Sequence, residues 1–242
     1  MDRIIAFDLW GPYAHYKKIF ATTTALTYPI PVKTSIFGLV GAIVGFEKSE
    51  NAYLKHFKPG DCRIGIQIMR PLAFQRININ LRAVFGSMKP TDNRKPTLME
   101  FVYQPAYRIF FTHQDHILME DLKSCLVQRR SVFTPSLGLA NLLANFEWVG
   151  EAPYLEIDSG GYVSIHTVIP RRRLVRLNPE FTFHEGNRIV EISEYALEMD
   201  TERNVLDRDD VILDQRGLPI NAEVSFYSPF PTKQNIINVV LF

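Results

Sequence analysis

The order of apolar patterns along this chain constrains its fold more than any other feature. Residues 4–9 form a short apolar run that Trp10, Gly11 and Pro12 break, which reads as a strand. Lys33, Thr34 and Ser35 precede the apolar run 36–46, which reads as a helix with Thr34 or Ser35 placed to cap it. Residues 63–74 read as a second strand. Residues 77–85 alternate Ile77, Ile79, Leu81 and Ala83 with Asn78, Asn80 and Arg82, the pattern of a half-exposed strand. Residues 86–97 hold the Gly, Pro, Asp and Asn of an exposed loop, and 99–104 alternate again, so a projecting hairpin is expected. Residues 106–112 read as a strand. Residues 116–129 read as a helix with Ile117, Leu118, Leu122 and Leu126 turned inward and Asp115 at its N-cap. The runs 147–157 and 162–169 flank Asp158, Ser159, Gly160 and Gly161, which signals a hairpin. Further strand-like pieces lie at 188–199, 211–214, 222–226 and 236–242. Strand, helix, strand, hairpin, strand, helix, strand is the order of a ferredoxin-like α+β core with insertions.

At 242 residues, one such domain with additions fits the usual size range. Residues 1–130 hold the core with its hairpin insertion at about 77–105, and 131–242 hold the remaining core strand and additional C-terminal β strands. The stretch 13–28 has no clear period and reads as an extended surface loop. Tyr28, Pro29, Ile30 and Pro31 hold the backbone extended, because proline fixes φ and disfavours helix before it.

The formal net charge of +1 hides a division. Between 63 and 95 stand seven Arg or Lys against Asp92 alone, and between 185 and 214 stand ten acids against three Arg. Phosphate binding depends on local charge, so the near-neutral sum does not exclude a nucleic-acid partner. Cys62 and Cys125 lack a CxxC partner and read as reduced thiols, pointing to the cytoplasm. The start resembles no signal peptide, and the longest apolar run, 36–46, is too short to span a bilayer. No membrane association is expected.

Residues 7–45 contain Gly11, Tyr16, Lys17, Tyr28, Pro29, Pro31, Thr34, Gly38, Gly41 and Gly45 in order. This pattern resembles the N-terminal motif of the fifth family of CRISPR-associated (Cas) proteins, most of all its type I-B branch. Pro135, Ser136, Leu137 and Gly138 resemble a second element of that family. The resemblance implies a modified ferredoxin-like (RRM-like, RAMP superfamily) domain whose hairpin is a "thumb". It implies a subunit of the Cascade surveillance complex that holds the 5′ handle of the guide RNA (crRNA). Its neighbours would be the backbone subunit and the large subunit, with target DNA reached only through the complex. Most type I systems use a separate endoribonuclease, and this family is then non-catalytic. In the type I-C branch the family member itself cuts the repeat RNA without a metal.

The residues give this reading a chemistry. Lys33, Thr34 and Ser35 open a helix, where unpaired N–H groups and a lysine can seat a phosphate. A buried helix packed on the sheet accounts for them equally. Gly38, Gly41 and Gly45 share one helical face; Gly38 is retained as an RNA-contact candidate, whereas Gly41 and Gly45 read as packing. Tyr16, Lys17 and Lys18 combine an aromatic face with cations, although Tyr16 also suits a core anchor. Arg76, Arg82, Lys89, Arg94 and Lys95 make the hairpin basic, and Arg108 follows on the next strand. Arg171, Arg172 and Arg173 form a second basic cluster of open role, and the acidic span 185–214 is expected to face protein or solvent.

Catalysis is the alternative. Tyr13, His15 and Lys17 supply the residue types of a metal-independent ribonuclease, but a polar loop surface explains them as well. His113, Gln114, Asp115 and His116 look like a metal site yet offer too few ligands. The sequence holds no Walker loop, GxSxG elbow or HExxH. The expectation is therefore no cofactor, no metal and no enzyme. A purely protein-bridging subunit is the weaker third reading.

Overall fold

A computed structural model describes residues 1–18, 25–82, 94–182 and 186–242, with only the backbone described for Leu81, Arg82, Arg94, Lys95, Phe181 and Thr182. The chain opens with β1 (Arg3–Trp10), β2 (Tyr13–Ala14), β3 (Tyr16–Lys17) and β4 (Thr27–Tyr28). Helix α1 (Lys33–Val44) and a 3-10 stretch (Ser49–His56) follow. Next come β5 (Cys62–Ile68), β6 (Ala73–Arg82), β7 (Arg94–Tyr103), β8 (Ala106–His113) and α2 (His116–Val127). The remainder is β9 (Asn145–Pro153), β10 (Val163–Ile165), β11 (Ile169–Pro170), β12 (Leu174–Leu177), the short α3 (Pro179–Thr182), β13 (Ile189–Met199), β14 (Val205–Asp214), β15 (Ile220–Val224), β16 (Ser228–Pro231) and β17 (Ile236–Val239).

The central sheet has four strands in the order β5-β8-β1-β9, and every neighbouring pair is antiparallel. A strand shows opposite faces at alternate residues. Ile5, Phe7 and Leu9 of β1 and Tyr107, Ile109 and Phe111 of β8 therefore share one face, where they join Phe37, Val40, Leu118, Leu122 and Leu126 of the two helices in one buried cluster. Ile4, Ala6 and Phe110 share the other face and meet Phe230, Ile237, Val239 and Leu241. Of these, Phe230, Ile237 and Val239 belong to a five-stranded sheet ordered β12-β15-β10-β17-β16, and Leu241 follows its strand β17. The mixed helix and strand content agrees with an α+β class.

The hairpin β6–β7 leaves the central sheet between β5 and β8 and forms a separate three-stranded sheet with β2. Its register runs unshifted from Ala73↔Tyr103 to Arg82↔Arg94. It begins earlier than the expected 77, because Phe74, Gln75 and Arg76 already pair with β7. Strand β7 likewise starts at Arg94, inside the segment read as loop.

Several sequence expectations need correction. Within the stretch 13–28, the described residues 13–18 and 25–28 are not a surface loop: Ala14, Tyr16, Thr27 and Tyr28 are buried in short paired strands, and His15 is buried between two of them. Residues 19–24 lie outside the described residues. The segment around Asp158 is not a hairpin, since β9 pairs with β1 and β10 with β15 and β17. Asp158 instead makes a local turn, accepting from the Gly160 N–H at 3.0 Å. Ile117 is 74% exposed because α2 turns Met119 and Cys125 inward in its place. Asp115 caps α2 as expected, accepting from the Ile117 and Leu118 N–H groups. By contrast α1 starts after Val32 without any side-chain cap, so neither Thr34 nor Ser35 fills that role.

Candidate nucleic-acid interface

The motif at Tyr28–Pro31 has a structural use. Proline gives no N–H, so this segment cannot continue a ladder and its carbonyls need other donors. Tyrosines supply them. The Tyr107 hydroxyl donates to Pro29 O at 2.6 Å, Tyr195 to Pro31 O at 2.7 Å, and Tyr28 itself to Glu194 O at 2.7 Å. Tyr16 completes this buried group; its hydroxyl has no partner among the described residues, and burial pushes its pKa well up. The second motif element closes on the same strands. Leu137 O accepts from the His15 N–H at 3.0 Å. Gly138 has φ +95, and a side chain there would stand 2.0 Å from the His15 carbonyl, so only glycine fits.

The start of α1 is not an open phosphate seat. Lys33 is 3% exposed, and its Nζ lies 2.6 Å from Glu198 Oε1. Thr34 is buried, and the Ser35 N–H donates to Val32 O at 2.8 Å. Burying a lysine without a partner is costly, so the ammonium is committed to its carboxylate. Gly38 and Gly41 face Tyr53 of the 3-10 stretch, which uses the close approach for packing. Gly45 ends the helix in the left-handed region at φ 97. Cys62, close by, is free and buried, and burial pushes its thiol up to about 12. It is an unreactive thiol.

At the root of the hairpin lies a groove of about 370 Å³, lined among others by Lys18, Phe74, Arg76, Glu100, Ile192 and Gln215. Phe74 is exposed, Lys18 sits 5.5 Å from the centre of the Tyr28 ring, and Lys17 is exposed on β3. Arg76 pairs with Glu100 at 3.2 Å. Further out, backbone register sets Leu81 opposite Lys95 and Arg82 opposite Arg94. Lys89 lies outside the described residues. Arg108 stands elsewhere: it forks onto Asp8 of β1 with Nε–Oδ1 2.7 Å and Nη2–Oδ2 3.0 Å. The expected set is thus divided. Lys18 and Arg76 line the groove and Lys17 is exposed on β3, while Lys33 and Arg108 lie away from it, held by acids of the same chain.

The suggested catalytic trio does not share one environment. The Tyr13 hydroxyl donates to Gln75 at 2.8 Å, and His15 is buried with Nδ1 2.7 Å from Glu100 O, while Lys17 is exposed. His113 is likewise a structural residue. Its Nε2 lies 2.9 Å from His56 O and its Nδ1 accepts from the Asp115 N–H, and burial lowers its pKa. No cluster of metal-ligating side chains occurs among the described residues, and none of their helices is long and apolar enough to cross a membrane.

The second basic cluster meets the acidic span directly. Arg172 contacts Asp207 at 2.7 Å and Asp209 at 3.0 Å, Arg171 approaches Glu191 at 3.9 Å, and Arg173 lies 4.1 Å over the Phe226 ring. Part of the charge asymmetry of the sequence is therefore cancelled inside the chain.

The family model described as CRISPR-associated protein (Cas_Cas5) matches residues 4–215. This chain belongs to that family. Among solved structures, one described as a CRISPR RNA-guided surveillance complex is similar at 12% identity with a TM-score of 0.51, over 90% of this chain and 91% of the other. A Cas protein crystal structure is similar at 14% identity with a TM-score of 0.50, over 91% and 95%. A CRISPR protein from Archaeoglobus fulgidus shows 9% identity and a TM-score of 0.49 over 98% of both chains. No curated protein matches. At these identities the structural likeness concerns the fold alone.

Family membership changes the reading of the motif. Its tyrosines and its second glycine element build one buried clamp, so the most recognisable residues of the chain are structural ones. The Gln67 side chain, absent from the sequence expectations, lines a separate cleft on the central sheet. The signal that marks it is a lone amide in the strand Cys62–Ile68, whose other residues apart from Arg63 are apolar.

Proposed function

We propose that this chain is a non-catalytic RNA-binding subunit of a CRISPR surveillance complex of the type I-B-like Cascade kind. In this reading it holds the 5′ handle of crRNA along the β6–β7 hairpin and the groove at its root. The carrying observation is the hairpin's register, which collects Arg82, Arg94 and Lys95 in its last described pairs above the groove with Lys18 and Arg76. Like charges placed opposite each other destabilise a ribbon unless an anion lies between them. A phosphodiester strand is such an anion, and exposed Phe74 offers a face for a base. The β5-β8-β1-β9 order, with a helix after β1 and after β8, supports a ferredoxin-like, RAMP-type core in a single domain. The partners proposed with it are the neighbouring backbone and large subunits in the cytoplasm.

The separate environments of Tyr13, His15 and Lys17 support the non-catalytic reading. The test incubates the pure protein with cognate repeat RNA in EDTA. Intact RNA that is nevertheless retained in a mobility-shift gel is the expected outcome. A specific cut establishes the ribonuclease instead, and absence of any RNA complex favours a protein-bridging subunit.

A further inference from the structure

The face of the central sheet opposite the helices is covered at one end only. Gly65, Phe110, Ala6 and Gly150 are opposite one another, and the Phe230 ring of the C-terminal sheet lies over this row, 5.2 Å from the Phe110 ring. Two residues further along each strand of the β5-β8-β1 trio, register sets Gln67 opposite Arg108 and Arg108 opposite Asp8, and Asp8 in turn opposes Glu147. Four polar side chains therefore cross the sheet side by side on the same face.

A cleft of about 730 Å³ opens over this row, with His166 and Lys233 also in its wall. Its charges are largely internal. Arg108 is forked onto Asp8, and Glu147 is paired with Arg129. Its hydrogen-bonding capacity is not used up. Gln67 Oε1 and His166 Nδ1 are both buried, and neither has a partner among the described residues. Buried polar atoms are normally satisfied, so two of them lining one cleft mark a place for a ligand. Burial lowers the His166 pKa, which leaves a neutral imidazole at neutral pH.

A cleft with cancelled charge suits a neutral group better than a free anion. A second cavity of about 230 Å³ shares Asp8 and Met69 with the first and reaches Trp10, so the two adjoin. Trp10 and Met69 are exposed there, an indole and a thioether that can cover the face of a flat ring. An edge with hydrogen-bond donors and a planar apolar face together describe a nucleobase, and exposed Lys233 at the rim suits its phosphate.

We propose that this cleft seats one unpaired nucleobase of a single-stranded RNA, with Gln67 and His166 on its edge and Trp10 against its face. The proposal rests on the RNA-binding reading but shares no residue with the groove at the hairpin root.

The experiment uses the full chain and a short single-stranded RNA carrying 4-thiouridine. Affinity is read by fluorescence anisotropy and position by crosslinking and peptide mapping. Gln67→Met keeps the volume and removes the amide, and Trp10→Leu removes the indole from the cleft mouth. Each is expected to weaken binding about tenfold, the effect of losing one satisfied buried hydrogen bond or one stacked base. Crosslinks to the peptide bearing Trp10 or Met69 are expected in the wild type and absent in Gln67→Met. Unfolding temperatures near the wild type's separate lost binding from lost folding; where one variant fails to fold, the other and the wild-type crosslinks decide. RNA that binds undiminished and crosslinks only within residues 73–103 overturns the cleft and leaves the hairpin reading intact. A wild type that binds no RNA overturns the hairpin reading itself, and with it this one. Free AMP or UMP competing at the same concentration as the strand assigns the cleft to mononucleotides and also overturns the proposal.

Discussion

Two antiparallel ribbons of similar length carry opposite charge, and they handle it in opposite ways. The hairpin β6–β7 keeps a single register over ten pairs, and residues 73–76 at its base are all exposed. The ribbon β13–β14 slips register at three points and places Glu194 at φ 59. Its middle is buried: Tyr195, Ala196 and Leu197 on one strand, Val211 and Leu213 on the other. Bulges bend a strand and let it wrap. The acidic ribbon thus lies on the body of the protein, where Lys33, Arg171 and Arg172 meet its acids. Among the described side chains of the basic ribbon, Arg76 is paired with an acid at its own root. The same formal charge balance therefore produces an internally paired ribbon and an outward-facing one. A net charge near zero says nothing about where the field points.

The comparison breaks first at Lys33. Lys33→Met leaves Glu198 as a buried, unpaired carboxylate and is expected to destabilise the fold by about 3–5 kcal/mol in urea unfolding. Adding Glu198→Met is expected to restore most of that loss. A single mutant that unfolds like the wild type shows that the acidic ribbon is not held by its internal counter-ion. Removal of charge from the other ribbon has a different signature. Arg82→Ala, Arg94→Ala and Lys95→Ala combined are expected to leave urea stability unchanged. They reduce the slope of log affinity against log salt for single-stranded RNA by about 2, at roughly 0.7 per lost phosphate contact. An unchanged slope places the RNA elsewhere.

The smallest expected effect is a pH dependence common to the body and absent from the hairpin. His113 and His166 both have pKa values lowered from 6.5, chiefly by burial. Below 6.5 the unfolded chain binds protons that the folded chain refuses, so stability rises with pH there. It is full above about pH 6.5 and is lost progressively as pH falls toward the folded values. His113→Gln with His166→Gln is expected to flatten the urea midpoint between pH 7.5 and 5.5. An equal slope in the double variant assigns the loss to other groups.

Local chemistry was legible in the sequence where it acts within a few residues. The alternation of Ile77, Asn78, Ile79 and Asn80 marks a half-buried strand, and these residues are in β6 with the isoleucines the less exposed. Asp115 caps the helix that follows it. Distant pairings were not legible. Nothing near Lys33 in sequence announces Glu198, which lies 165 residues away, so the lysine reads equally well as a phosphate ligand. The Asp158–Gly161 turn has hairpin residues, but strand partnership is decided by the sheets, and β1 and β15 claim its flanks. Gln67 and His166 are brought to one cleft by the register of two sheets that sequence patterns do not align.

The root of the β6–β7 hairpin is closed. Ala73 pairs with Tyr103, the Gln104 N–H donates to Pro12 O at 2.8 Å, and the Met69 N–H donates to Ala106 O at 2.9 Å, so the chain leaves and re-enters the body at one point. Adding or removing one residue pair at the far end changes the hairpin's reach by about 3.3 Å without altering a contact in the core. The hairpin is in this sense an adjustable ruler mounted on a fixed base, and its length can change while the clamp beneath it stays the same.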